Sequence, residues 1–240
     1  MTLFDNCCAD IESAYHRLGH RLGWRFLSGP KATLSPASRI AFISLNPGGD
    51  YDSPDHPRES QEKGSAFLVE SWDGKPAGHS KLQVQVGALF GHLAERVGGG
   101  DRKALMNATL MGHFIPFRSP SFDLLNQKAE SLAFGEQLWA EVFEHIAPKI
   151  VITMDAHTFK RVRNIIKHRR PDEPERHIQL PTGWGNYTAD VVHFGSPEDG
   201  VSLARLPHLS RFTIFTSPKC REAVPRLMDE IALAAQGVPC

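Results

Sequence analysis

Residues 39–54 read RIAFISLNPGGDYDSP. Arg39 to Leu45 form a short apolar run rich in β-favouring side chains and without polar alternation. That pattern suits a strand buried on both faces, as in a parallel sheet covered by helices. The run stops at Asn46, Pro47, Gly48 and Gly49, residue types that favour turns. A polar loop then extends to His79, long enough to be a carrier of function rather than a plain connection. In open parallel sheets ligands collect at the carboxyl ends of the strands. Asn46–Gly49 stands where a site belongs, and its glycines let backbone N–H groups approach a ligand.

The flanking segments extend this reading. Residues 8–22 place Ile11, Tyr15, Leu18 and Leu22 at helical spacing. Residues 80–97 put Leu82, Val86, Leu89, Leu93 and Val97 on one stripe, with Ser80 as the expected cap. ALMNATLM, 104–111, reads as a second buried strand containing Asn107, and a helix is expected over 128–146. KIVITM, 149–154, reads as a third strand, with AHTFKRVRNIIKHR as the helix after it. HIQLP, YTADVVHF and VSLARLP are further strand candidates. A last helix is expected from Pro218 to Gln236, capped by Ser217 and kinked or restarted at Pro225. Strands alternating with helices predict an α/β fold, a three-layer α/β/α arrangement around a mostly parallel sheet, with 1–240 as one domain.

Composition narrows the functional classes. The 240 residues are 41% hydrophobic and 22% charged, with 27 basic and 27 acidic side chains. A neutral chain has no global field for a polyanion, so a nucleic-acid partner needs a local basic patch. Cys7, Cys8, Cys220 and Cys240 form no Cys-x-x-Cys pair. Neither a zinc ribbon nor a spaced iron–sulfur framework is expected, and adjacent reduced thiols are the expectation for Cys7 and Cys8. No stretch approaches the ~18 apolar residues of a membrane span. The start lacks the basic end and apolar run of a signal peptide. A cytoplasmic protein with no membrane partner, no metal and no cofactor is expected.

Five stretches in order carry a resemblance: SLNPGG, GSAF, LMNATL, KIVITMDAHTFK and LPHLSRF. Together they resemble the uracil-DNA glycosylase superfamily over roughly residues 40–220. SLNPGG is similar to the first motif of the mismatch-specific branch, which has Asn where the best-known branch has Asp. The chain departs from the pattern in three places. Ser44 replaces a glycine, no Pro-Ser follows His208, and the cluster cysteines of thermophile-type branches are missing.

The resemblance implies an enzyme that flips a damaged base out of DNA, most simply uracil, and hydrolyses its N-glycosidic bond. It implies catalytic roles for Asn46 and His208. Asn46 would hold the attacking water, and His208 with backbone N–H groups at Gly48 and Gly49 would stabilise the leaving base. It implies substrate contacts from Phe67, which would stack on the base, and from Asn107, which would read its edge. Ser210, Arg211 and Arg118 would grip phosphates of the DNA partner. Such a bond breaks through an oxocarbenium-like state, positive on the sugar and negative on the base. Asn46 cannot take a proton; Asp50 and Asp52 could supply the missing charge, though both read more simply as residues that solvate the loop. Asn107 is equally readable as a core amide, and Phe67 as a loop anchor. The basic run 160–170 reads as a solvated helix face. The alternatives are a non-catalytic nucleic-acid- or nucleobase-binding module on the same fold, or an enzyme of free nucleosides or nucleotides.

Overall fold

The computed structural model describes residues 1–50, 57–98 and 100–235. Asp52, Gln236 and Cys240 lie outside the described residues. The first helix, α1 (Leu3–Arg17), begins and ends earlier than the 8–22 periodicity predicts. At its start the Thr2 hydroxyl accepts from Asp5 N–H while the Asp5 carboxylate accepts from Thr2 N–H, a reciprocal cap. At its end Gly19 takes φ +67° and donates to His16 O, and such a glycine terminates the helix before Leu22. Cys7 and Cys8 are free thiols on α1. Burial, reinforced by nearby acidic groups, pushes both up to about 12, so both stay protonated at neutral pH.

Strand β1 (Ile40–Ser44) follows, as its apolar run predicts. A one-turn helix, α2 (Ala66–Val69), interrupts the long loop. Helix α3 (Lys81–Ala94) carries the expected Ser80 cap, with Gln83 returning the bond. The next segment departs from expectation. Residues 102–108 are helix α4 (Arg102–Ala108), and only Leu110–His113 form strand β2. The Asp101 carboxylate caps Ala104 N–H, and the helix-favouring side chains that follow outweigh the apolar run. Thr109 turns the chain into the strand, and its hydroxyl donates back to Leu105 O at 2.8 Å.

Helix α5 (Lys128–His145), strand β3 (Ile150–Thr153) and helix α6 (Ala156–Arg169) match the sequence reading. Strands β4 (Glu175–Pro181), β5 (Thr188–Phe194) and β6 (Val201–Arg205) complete the sheet. The last helix, α7 (Ala223–Ala232), is separated from a 3-10 turn at Pro218–Cys220. Ser217 caps that turn, and Pro225 sits in the first turn of α7, where a missing N–H does no harm.

The strand order is β2-β1-β3-β6-β5-β4. β2, β1, β3 and β6 are parallel, and β5 runs antiparallel to both neighbours. One core joins α1, α5 and α6 to Ala41, Ile43, Val151 and Leu203 of the sheet. The other joins α3, α4 and α7 to Ile40, Phe42, Ile152 and Ala204. The alternating faces of β1 thus feed separate helical layers, an α/β/α arrangement. The chain leaves β1 for β2 through one layer and returns to β3 through the other. The carboxyl ends of β1 and β3 therefore flank the topological switch point, where such sheets open a crevice.

Gly135 shows how closely α5 docks. A Cβ there would lie 2.5 Å from Phe114 O and 3.0 Å from the Phe114 ring. Alanine would favour an isolated helix by about 1 kcal/mol, but the clash prevails. Gly135→Ala is expected to destabilise the fold by about 1–3 kcal/mol, read from the urea midpoint. A raised midpoint would refute the close approach.

Candidate functional site

Three parallel strands bring their carboxyl ends together at the switch point. Ile43 pairs with Thr153, and Thr153 with Arg205. The ladder continues beyond the strands, since Leu206 N–H donates to Thr153 O at 2.9 Å. On the other side Phe114 N–H donates to Ser44 O at 2.7 Å and Ile115 N–H to Leu45 O at 2.8 Å. Asn46 follows β1 and His208 follows β6 along this edge.

Asn46 is half-buried, and its amide donates to Pro47 O at 3.0 Å. Gly48 is exposed, with nothing within 4 Å of where a Cβ would stand. Gly49 has φ +120°, and a Cβ on it would collide with the Arg118 guanidinium. Arg118 is 8% exposed. Its Nε donates to Gly48 O at 3.2 Å and its Nη1 to Leu22 O at 3.3 Å. Rather than facing solvent for a phosphate, Arg118 is a strut that holds the Asn46–Gly49 turn against residues 22–23. Ser119 N–H, donating to Pro47 O at 3.2 Å, adds to that support.

His208 has an exposed ring whose Nδ1 lies 3.3 Å from Ser210 N and 2.8 Å from Ser210 Oγ. A backbone N–H only donates, so Nδ1 is the acceptor and the neutral ring carries its hydrogen on Nε2. The ring is held below its ordinary value, first by the protein that withholds water from one side. Arg211's positive charge adds to this and Asp155's negative charge opposes it. Ser210 therefore orients the imidazole. Arg211 is exposed, while its carbonyl accepts from Lys81 Nζ at 3.1 Å.

Two other expected contacts lie elsewhere. Asn107 is neither in a strand nor on this edge. It sits exposed near the end of α4, on the amino-terminal side of β2, and its Oδ1 accepts from Ser65 N–H at 2.8 Å. Its carboxamide holds the GSAF turn, where Gly64 has φ +126°. Phe67 is 4% exposed and packs edge-on to Phe42 at 5.5 Å and Trp72 at 5.2 Å. It anchors the loop to the core and offers no ring face to a base. Asp50 is exposed at the edge of the described residues.

The polar group at the carboxyl end of β2 is His113, which the sequence reading passed over. Its Nδ1 lies 2.8 Å from Ser44 Oγ and its Nε2 3.0 Å from Ser28 Oγ. Ending the strand at residue 113 rather than 111 would have exposed it as a strand-tip residue. The loop behind it is fastened by Glu70, which accepts from Arg25, Gln61 and Trp72. Arg161 and Arg163 on α6 and Arg170 just past it pair with Glu136, Glu175 and Glu173, which neutralises part of the basic run.

Two recesses lie away from this edge. One of about 260 Å³ is lined by Pro148, Val201 and Arg169, at the amino ends of β3 and β6. The other, about 340 Å³, lies between Leu180 and Arg226. Among the described residues, no group of three or more His, Cys, Asp or Glu side chains is placed to hold a metal ion. No helix among them is long and apolar enough to cross a membrane. Comparison of the chain with protein-family models and with curated proteins finds no match to either. The fold and the edge together define an α/β protein with a six-stranded, mostly parallel sheet and polar side chains along its carboxyl rim.

Proposed function

We propose that this chain is a monofunctional DNA-repair glycosylase of the uracil-DNA glycosylase superfamily. It hydrolyses the N-glycosidic bond of a flipped base, most simply uracil. One observation carries the reading: Asn46 and His208 leave the carboxyl ends of β1 and β6 with a single strand, β3, between them. Two strand spacings, about 10 Å, separate β1 from β6, a span into which a nucleoside fits. His208 presents Nε2–H to the base oxygen that gains charge, and a neutral donor does this without surrendering a proton. Asn46 holds the water on the sugar side. Gly48 leaves room for a backbone approach, and Arg211 remains exposed for a flanking phosphate.

A second reading is a nucleic-acid- or nucleobase-binding module without catalysis. The burial of Phe67 and the placement of Asn107 favour it, because both remove expected base contacts. Purified protein incubated with a uracil-containing oligonucleotide separates the two. The glycosylase is expected to leave abasic sites. Asn46→Ala, which removes a water-holding hydrogen bond and no charge, is expected to slow release about tenfold. Salt-dependent binding with no abasic product from uracil, hypoxanthine or mismatched substrates would favour the module.

A further inference from the structure

Asp155 follows β3, the strand between those that lead to Asn46 and His208. Counting two residues on from the Ile43–Thr153–Arg205 register sets Asp155 beside Leu45 on one side and Pro207 on the other. It opens α6, where Oδ1 accepts from Thr158 N–H at 2.8 Å. That cap needs one neutral acceptor, and Asn or Ser supplies it as well as Asp does. The helix dipole favours a negative charge there, but the cap leaves the second oxygen of Asp155 without a role. Its Oδ2 is buried without a hydrogen-bond partner, and so is Thr158 Oγ1 in the same turn. Burying a carboxylate oxygen without a donor is unfavourable, and such groups call for a functional explanation. The charge reaches the site, since Asp155 acts on the His208 ring against the influence of Arg211.

We propose that Asp155 is the carboxylate of the glycosidic reaction, its negative charge stabilising the sugar as it becomes cationic. This rests on the glycosylase reading. The C1′–N bond breaks and its electron pair leaves with the base, whose charged oxygen accepts a hydrogen bond from His208 Nε2–H. A water oxygen bonds to C1′ and the proton it loses passes to solvent, while the buried charge of Asp155 stabilises the cationic sugar. The chain thus places on β3 the negative charge that its Asn46-type first motif lacks. A partly desolvated anion there acts more strongly than one in water.

Asp155→Asn keeps the cap and the shape and removes the charge, and Asp155→Ser is a second variant that can cap. Release of uracil is expected to fall about 10²-fold or more in Asp155→Asn, with an unchanged melting curve. A structural role would not move a second readout, the preference for a cation. Wild-type protein is expected to bind an oligonucleotide with a protonated pyrrolidine in place of the deoxyribose about tenfold tighter than one with neutral tetrahydrofuran. Asp155→Asn should lose that preference. If wild type releases uracil and Asp155→Asn matches it within about twofold, the role of Asp155 is overturned and the glycosylase reading stands. A slower variant that keeps the cation preference also overturns the role. A wild type that releases no base overturns the glycosylase reading and this role with it.

Discussion

Alanine at position 208 is expected to lower the single-turnover rate of uracil release by about 10²–10³-fold, the usual effect of losing one donor to a developing oxyanion. Affinity for an uncleaved oligonucleotide should change far less, because the hydrogen bond strengthens only as the base gains charge. Ser210 fixes the imidazole by donating to Nδ1, which leaves Nε2–H for the substrate. The surroundings hold the ring below its ordinary value, chiefly by desolvation and then by Arg211. A depressed histidine stays neutral as pH falls through 6.5, the value ordinary for this side chain. The sign for stability follows. The contribution of this group is intact above that value and is lost as pH falls through the lower, folded one. The rate should stay flat across pH 6.5, and a break there would show the ring to be unperturbed. An unchanged rate in His208→Ala would remove the donor from the reaction.

Much of the fold could be read from periodicity, because most elements satisfy local and global demands together. The run 39–45 is a strand buried on both faces, and the stripe from Leu82 to Leu93 is a helix with its cap at Ser80. The reading failed where local chemistry overruled an apolar run. ALMNATLM looks like a strand, yet Asp101 caps the segment into a helix and delays β2 to Leu110. That shift of a few residues carried Asn107 to the wrong end of the sheet and hid His113 at the right one. Arg118 and Phe67 show a different limit. A short motif gives their order along the chain, but whether a guanidinium faces solvent or two carbonyls depends on the remote residues 22 and 48. The places of Asn46 and His208 on the carboxyl rim were legible because each comes within three residues of a well-marked strand. Asp155 follows one too, but its buried, unpartnered oxygen has no signature in one dimension.

Removing Glu70 alone is expected to destabilise the fold by about 3–5 kcal/mol, because it strands a buried positive charge. Arg25 is 2% exposed, with Nη2 2.7 Å from one Glu70 oxygen and Nη1 3.1 Å from the other, and with Nε donating to Leu27 O. Gln61 Nε2 and Trp72 Nε1 also donate to Glu70, at 3.0 and 2.8 Å. Burial pushes the Glu70 carboxyl up. Arg25, Trp72 and Gln61 more than reverse this and hold it below the usual carboxylate value. Its stabilising contribution is therefore complete above about pH 4.5 and is lost as pH falls through the lower folded value. Glu70→Leu should lower the urea midpoint sharply and flatten this acid-side loss. The double variant Arg25→Met, Glu70→Leu should recover most of the stability, since a packed apolar pair often replaces a buried ion pair without penalty. If Glu70→Leu alone is tolerated within about 1 kcal/mol, Arg25 is reaching water and the pair is not what fastens the loop. The result bears on the site. Residues 57–72 carry Phe67, and Arg58, Glu59 and Gln61 bond to Phe26, Leu27 and Gly29 of the extended segment that bridges to β2 at Gly112. A loop held this firmly keeps the wall next to His113 in place.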